Sequence, residues 1–161
     1  MNRIKRIYHT LFIPNINSVK MCYITLKLHR RKFKFLAILM KNWMISKYGI
    51  HLGLNSQIGS NLKLPHPQGI IIGEGAKIGE NCTIYHNVTL GTKHSLSSDN
   101  PEYPIVGKNV TIYTGSIILG GVYVGDNSII GANSLVLEDV EPNSVYLGSP
   151  ARKVKNIQHS I

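Results

Sequence analysis

From Leu52 to Val136 the chain keeps a period of six. Branched aliphatic residues stand at Leu52, Ile58 and Leu64, then at Ile72, Ile78, Ile84 and Leu90, then at Val106, Ile112, Ile118, Val124, Ile130 and Val136. A small or branched residue follows four places later, as at Ser56, Ala76, Cys82, Val88, Val110, Ser116, Val122, Ser128 and Ser134. A period of six fits neither a 3.6-residue helix nor the simple alternation of a hairpin strand. It fits a parallel β-solenoid whose coil is a triangle of three hexads. The aliphatic points into the prism and the small residue fills the space beside it. Gly or Asn turns the corner, where positive φ costs little. Cys82 falls on a small inner position, so packing accounts for it.

The rhythm breaks twice. "HPQGII" stretches the step from Leu64 to Ile72 to eight residues, and "GTKHSLSSDNPEYPI" separates Leu90 from Val106. Insertions in a solenoid map to loops on one face, often the binding face. The second insertion is rich in Ser, Asn, Asp and Pro and cannot continue a buried strand. Residues 91–105 are therefore expected to protrude from one corner.

Ahead of the repeat the composition changes. Eleven of the eighteen Lys and Arg lie before Tyr48, while all eight acids lie after it, starting at Glu74. The formal charge of +10 thus belongs to a basic arm joined to a nearly neutral body. This divides the chain into an arm, 1–48, a solenoid domain, 49–149, and a tail, 150–161. The arm is expected to be helical and broken at Pro14. Leu36, Leu39, Met40 and Trp43 fall at i, i+3, i+4 and i+7 and form one apolar stripe. Two roles fit the arm: capping the open end of the first coil, or resting on an anionic membrane surface. Lys34 and Lys41 interrupt any membrane-spanning run. No nucleic-acid recognition motif accompanies the charge. Two cysteines, Cys22 and Cys82, are too few for a disulfide scaffold or a cysteine-based zinc site, and suit a cytoplasmic protein with reduced thiols. No signal peptide is evident, because Pro14 and Asn15 interrupt the stretch after Arg3, Lys5 and Arg6.

Three stretches carry a family resemblance: "LPHPQGIIIGEGAKIGENCTIYHNVTLG", "YPIVGKNVTIYTGSIILGGVYVGDNSIIGANSLVLEDVEPNSV" and the closing "LGSPARKV". Over about residues 49–156 the chain resembles the hexapeptide-repeat acyltransferases, and among them the serine acetyltransferase type, closest to short forms associated with polysaccharide synthesis. The resemblance implies a left-handed parallel β-helix, a homotrimer and acetyl-CoA as co-substrate, with no metal. It makes His66, in the broken hexad, the general base that takes a proton from an acceptor hydroxyl as that oxygen attacks the thioester. An imidazole with a pKa near 6.5 suits that role at neutral pH. It also implies that the pantetheine chain lies along Thr114, Gly115, Ala132 and Asn133, in a groove between neighbouring solenoids, with Arg152, Lys153 and Lys155 near the CoA phosphates.

The acceptor side departs from the family pattern. Where serine-specific members have an aspartate fifteen positions before the catalytic histidine, this chain has His51; where a second aspartate precedes that histidine, it has Pro65. The family's Asp-Arg-His-Pro stretch ends here in Glu102, Tyr103 and Pro104. His51, Glu102 and Tyr103 are thus the expected acceptor-side residues. Their identity, together with the basic arm, points to a sugar hydroxyl in surface polysaccharide synthesis as the acceptor. L-serine is the alternative, and a non-catalytic trimeric scaffold is the alternative outside the enzyme class. Ile161 at the chain's end resembles serine-enzyme tails that dock a cysteine-making partner. His86 stands where the family commonly has Gln, and a corner hydrogen-bonding role fits it better than a catalytic one. His66, His86 and His94 lack the spacing of a zinc ligand set.

Overall fold

The computed structural model describes residues 14–93 and 101–157, with 14–17 as backbone only. Among the described residues two helices come first, α1 (Pro14–Arg30) and α2 (Lys34–Tyr48). Fourteen short strands follow among the described residues: β1 (His51–Leu52), β2 (Gln57–Ile58), β3 (Ile71–Ile72), β4 (Lys77–Ile78), β5 (Thr83–Ile84), β6 (Thr89–Gly91), β7 (Ile105–Val106), β8 (Thr111–Ile112), β9 (Ile117–Leu119), β10 (Tyr123–Val124), β11 (Ile129–Ile130), β12 (Leu135–Val136), β13 (Ser144–Gly148) and β14 (Ala151–Asn156). They assemble into three sheets, β1-β3-β6-β9-β12, β2-β4-β7-β10 and β5-β8-β11-β13-β14, the three walls of a left-handed parallel β-helix. All pairs are parallel except the closing β13–β14 hairpin.

The stacking register shows how the hexads work. Ile72 stacks on Leu90, eighteen residues on, which is one turn of three hexads. Leu90 stacks on Ile118, twenty-eight residues on, so the second break adds ten residues without disturbing the core. Leu52 stacks on Ile72, twenty residues on, because the first break adds two. Leu52, Leu64, Ile72, Ile84, Leu90, Ile112, Ile118 and Ile130 are all fully buried. The small residue four places on has a second task. Ser56 Oγ donates to the Gly53 carbonyl (2.7 Å), Ser116 to Gly131 (2.7 Å) and Ser128 to Gly125 (2.6 Å), so each ties a corner that strand pairing leaves open. Cys82 does the same with its thiol, which lies 3.1 Å from the Gly107 carbonyl.

Among the described residues a helix begins at Pro14, where proline's missing N–H is no loss, and what precedes it lies outside the described residues. A further break falls at residues 31–33, between α1 and α2. The arm departs from expectation at one point: the stripe Leu36, Leu39, Met40 and Trp43 is not the packing face of α2. Leu36, Leu39 and Trp43 are exposed, and the buried residues are Ala37, Met44 and Tyr48. The helix is apolar on both sides, so periodicity alone could not choose between them. α2 ends at Gly49, whose N–H donates to the Ile45 carbonyl and whose φ of 64° turns the Ile50 N–H back to the Met44 carbonyl. Capping of the first coil is shared with α1. Cys22 and Leu26 join Ile50, Leu52 and Leu62 in one core, and the Tyr23 hydroxyl donates to the Gly59 carbonyl at 2.5 Å. No helix among the described residues is long and apolar enough to cross a membrane.

Candidate active site

The corner between the third and first walls is built from stacked pairs: Gln68–Gly69, His86–Asn87, Thr114–Gly115 and Ala132–Asn133. Each rung hangs from the one before. Asn87 N donates to the Gln68 carbonyl (2.9 Å), Gly115 N to His86 (3.1 Å) and Asn133 N to Thr114 (2.8 Å). Glycine and asparagine alternate for a physical reason. Every turning residue here has positive φ, from 54° to 69°. A Cβ on Gly115 would also lie 2.2 Å from Asn133 Oδ1, and one on Gly69 2.2 Å from Asn87 Oδ1. Each asparagine amide occupies the space its glycine neighbour leaves.

The two-residue insertion opens at the head of this column. Pro67 is buried and holds the loop, the Gln68 N–H donates to the His66 carbonyl (2.8 Å), and the His66 ring is exposed. Its neighbours are two rings from the next coil. His86 meets it edge to face with centroids 5.7 Å apart, and Tyr85 lies tilted at 6.4 Å. Tyr85 in turn stacks on Tyr113 at 5.0 Å. Neither tyrosine was singled out in the sequence, yet both leave a signal. "IYHN" and "IYTG" repeat the Ile-Tyr pair one coil apart, at the outward position beside the corner. His86 Nδ1 is buried without a hydrogen-bond partner among the described residues, while the His86 carbonyl also accepts from Thr114 Oγ1 (3.1 Å).

Not every expected site residue joins this corner. Thr114, Gly115, Ala132 and Asn133 do, as one continuous track running away from His66. His51 and Tyr103 line a separate cavity of about 280 Å³ with Lys41, Ile71, Glu74 and Thr92. Tyr103 covers Gly73 and Gly75, where any side chain would collide with its ring, and Glu102 lies against Gly121. Within one chain none of the three touches His66. At the far end Arg152 faces Glu138 (3.7 Å) and Lys153 faces Glu141 (2.5 Å), whereas Lys155 has no ion pair among the described residues. These surface pairs are weak and yield readily to a stronger anion. His94, most of the protruding loop, Ile161 and the first thirteen residues lie outside the described residues; among those described, no His, Cys, Asp and Glu cluster could hold a metal.

Neither thiol enters the chemistry. Burial pushes the Cys22 thiol up to about 12, and burial also raises that of Cys82, with the Asp126 carboxylate adding a smaller push in the same direction. Both are free, buried and protonated at neutral pH.

Comparison with known proteins locates this architecture. The family model "bacterial transferase hexapeptide (six repeats)" matches residues 103–138. The chain is 35% identical over 145 residues to the serine acetyltransferase of Helicobacter pylori, covering 89% of this chain and 83% of that one. It is 42% identical over 118 residues, 73% of this chain, to a putative serine acetyltransferase of Schizosaccharomyces pombe, of which it spans 43%. The crystal structure of Neisseria gonorrhoeae serine acetyltransferase superposes with a TM-score of 0.87 at 31% identity, covering 95% of this chain and 59% of that one. A serine acetyltransferase solved in complex with CoA gives 0.82 at 30% identity, covering 91% and 60%. These matches overturn the expected sugar acceptor and lend the polysaccharide subtype no support, since each of these relatives is named as a serine acetyltransferase, the Schizosaccharomyces pombe one as putative. The physical reason lies in the geometry. The expectation leaned on His51, Glu102 and Tyr103, which lie apart from His66 within one chain, so a departure at those positions does not by itself exclude serine beside His66.

Proposed function

Because this chain belongs to the serine acetyltransferase family of hexapeptide-repeat transferases, we propose that it transfers the acetyl group of acetyl-CoA to the hydroxyl of L-serine. The observation that carries the reading is His66: an exposed imidazole in the first of the two broken hexads, at the head of a corner track that leads away along the solenoid. In the proposed reaction His66 accepts the proton of the serine hydroxyl as its oxygen attacks the thioester carbonyl. The tetrahedral intermediate expels the CoA thiolate, and His66 returns the proton to it. Acetyl-CoA and serine give O-acetylserine and CoA, with no metal and no change of oxidation state. Ring packing from Tyr85 and His86 holds the His66 imidazole in place of an orienting carboxylate. Thr114, Gly115, Ala132 and Asn133 line the track for pantetheine, and Arg152, Lys153 and Lys155 meet the CoA phosphates.

The working unit is a homotrimer, with the track completed by a neighbouring solenoid. The outward-facing Ile71 and Ile117 of the first wall supply apolar surface for such a neighbour. His51, Glu102 and Tyr103 then complete an acceptor pocket from across that boundary. The arm, solenoid and tail keep the limits 1–48, 49–149 and 150–161. Free buried thiols and an acetyl-CoA substrate favour the cytoplasm.

The test is thiol release from acetyl-CoA by the purified full chain, with L-serine, N-acetylglucosamine, glycerol or no acceptor, and with products identified by mass. Saturable release with L-serine and formation of O-acetyl-L-serine is expected. Release with L-serine no faster than without an acceptor overturns the reading.

A further inference from the structure

Helix α2 buries one side against the first coil and still shows an apolar side to solvent. Phe35 is 77% exposed, Leu39 49% and Trp43 42%, with Leu36 and Ile38 beside them and Phe33, 60% exposed, just ahead of the helix. Such a contiguous apolar face marks an interaction site more often than chance. Its surroundings identify the partner. Arg30, Arg31, Lys32 and Lys34 cluster at the N-terminal end of α2, Lys41 follows along it, and Lys47 sits 4.9 Å over the Trp43 ring. No acid precedes Glu74 anywhere in the chain. The coil is already capped by Ala37, Met44 and Tyr48, so the exposed face is not needed to close the fold.

We propose that this face docks on an anionic lipid surface, with the α2 axis parallel to it. Phe33, Phe35, Leu39 and Trp43 enter the headgroup boundary while the cations meet the lipid phosphates. The arrangement of apolar face and basic border is that of an interfacial helix, not a spanning one. A second copy presenting the same face would bring an equally basic arm against this one, with no acid on either to offset it, so charge favours lipid as the occupant.

Trp43 is the chain's only tryptophan and lies within the face, so it reports on docking directly. The full chain is titrated with phosphatidylglycerol/phosphatidylcholine vesicles and with pure phosphatidylcholine vesicles, at low and high salt, following Trp43 emission and co-sedimentation. A blue shift and co-sedimentation are expected with the anionic vesicles only. The apparent affinity should fall at least tenfold at high salt, because these charges act through solvent. The variant Phe35→Ser/Leu39→Ser, altered only at exposed positions, should lose at least tenfold in vesicle affinity while melting like the parent. Equal binding to neutral vesicles, or none to anionic ones at low salt, overturns the proposal. So does Trp43 emission that is already blue without lipid and shifts with protein concentration, which assigns the face to a second copy. The wild-type vesicle comparison stands even where the variant fails to fold.

Discussion

His66 touches little besides two aromatic rings, so its chemistry and its structural role can be separated. Replacing it with Ala should lower kcat for acetyl transfer at least about 10²-fold, the low end for an acid–base group, with an unchanged melting temperature. Wild-type turnover in His66→Ala would remove it from the mechanism. The corner column makes a different demand on its residues. At Gly115 a side chain meets two penalties: left-handed φ, which costs about 1–2 kcal/mol for most residues, and the Asn133 amide 2.2 Å from the new Cβ. Gly115→Ala should therefore destabilise by about 2–4 kcal/mol. Adding Asn133→Gly should recover part of that loss, since it removes the collision and leaves the φ strain. A double variant no more stable than Gly115→Ala, measured by thermal unfolding, would show that the asparagine is not the obstacle. Cys22 makes a third residue-scale case. Its folded thiol is pushed up to about 12 from an ordinary 9.0, so the folded state holds the proton more tightly than the unfolded one. That preference stabilises fully below pH 9 and fades as pH climbs toward 12. Relative to Cys22→Ala, the wild type should lose its stability advantage across that window. At pH 8 Cys22 should resist thiol reagents until the chain unfolds.

For the elements, the solenoid was legible in the sequence and the helical arm only in part. Thirteen aliphatics at six-residue spacing state the wall, the corner and the interior at once, and the two broken steps announce where something is inserted. In the helices the same apolar residue types serve two faces. Leu36, Leu39 and Trp43 form as good a stripe as Ala37, Met44 and Tyr48, and only the coil beneath decides which is buried. Side-chain size misleads as well, because the completely buried Ala37 is the smallest of the six. The distinction is measurable. Met44→Ala should cost about 2–5 kcal/mol, as for other buried large-to-small changes, while Leu36→Ala should stay within about 0.5 kcal/mol. Equal losses in chemical denaturation would mean that the stripe, not the Met44 face, carries the packing. Tyr85 and Tyr113 were hidden for a related reason. A six-residue search looks for what points inward, and both point outward, meeting only because the coils stack.

The whole molecule is a column of coils, and a column has ends. Its interior is paired rung by rung, so each coil is covered by its neighbours, but the first and last coils are not. The C-terminal end closes with the β13–β14 hairpin, where Ala151 is buried. The N-terminal end closes with α1 and α2, and here sequence and structure agree on the role while differing on the residues that perform it. The acceptor side was the least legible: residues chosen for their departure from a pattern do not meet the histidine within the chain, since His51 and Tyr103 share a cavity that His66 does not line. The capping role leads to a prediction at this scale. Removing residues 1–48 uncovers Ile50, Leu52 and Leu62, which are now buried, and deletes the bonds that Tyr23 makes to Gly59 and Leu62. The remaining solenoid keeps its hexads and its Asn and Gly corners, so it should still form coils by circular dichroism. Its first coil, with apolar surface and open strand edges, should melt earlier and associate with copies of itself as concentration rises. Light scattering after size exclusion would detect the association, and the Phe35→Ser/Leu39→Ser variant provides the control, since it alters the outer face and leaves the cap intact. A truncated chain that stays monodisperse and melts with the full-length protein would show that the arm does not cap the column.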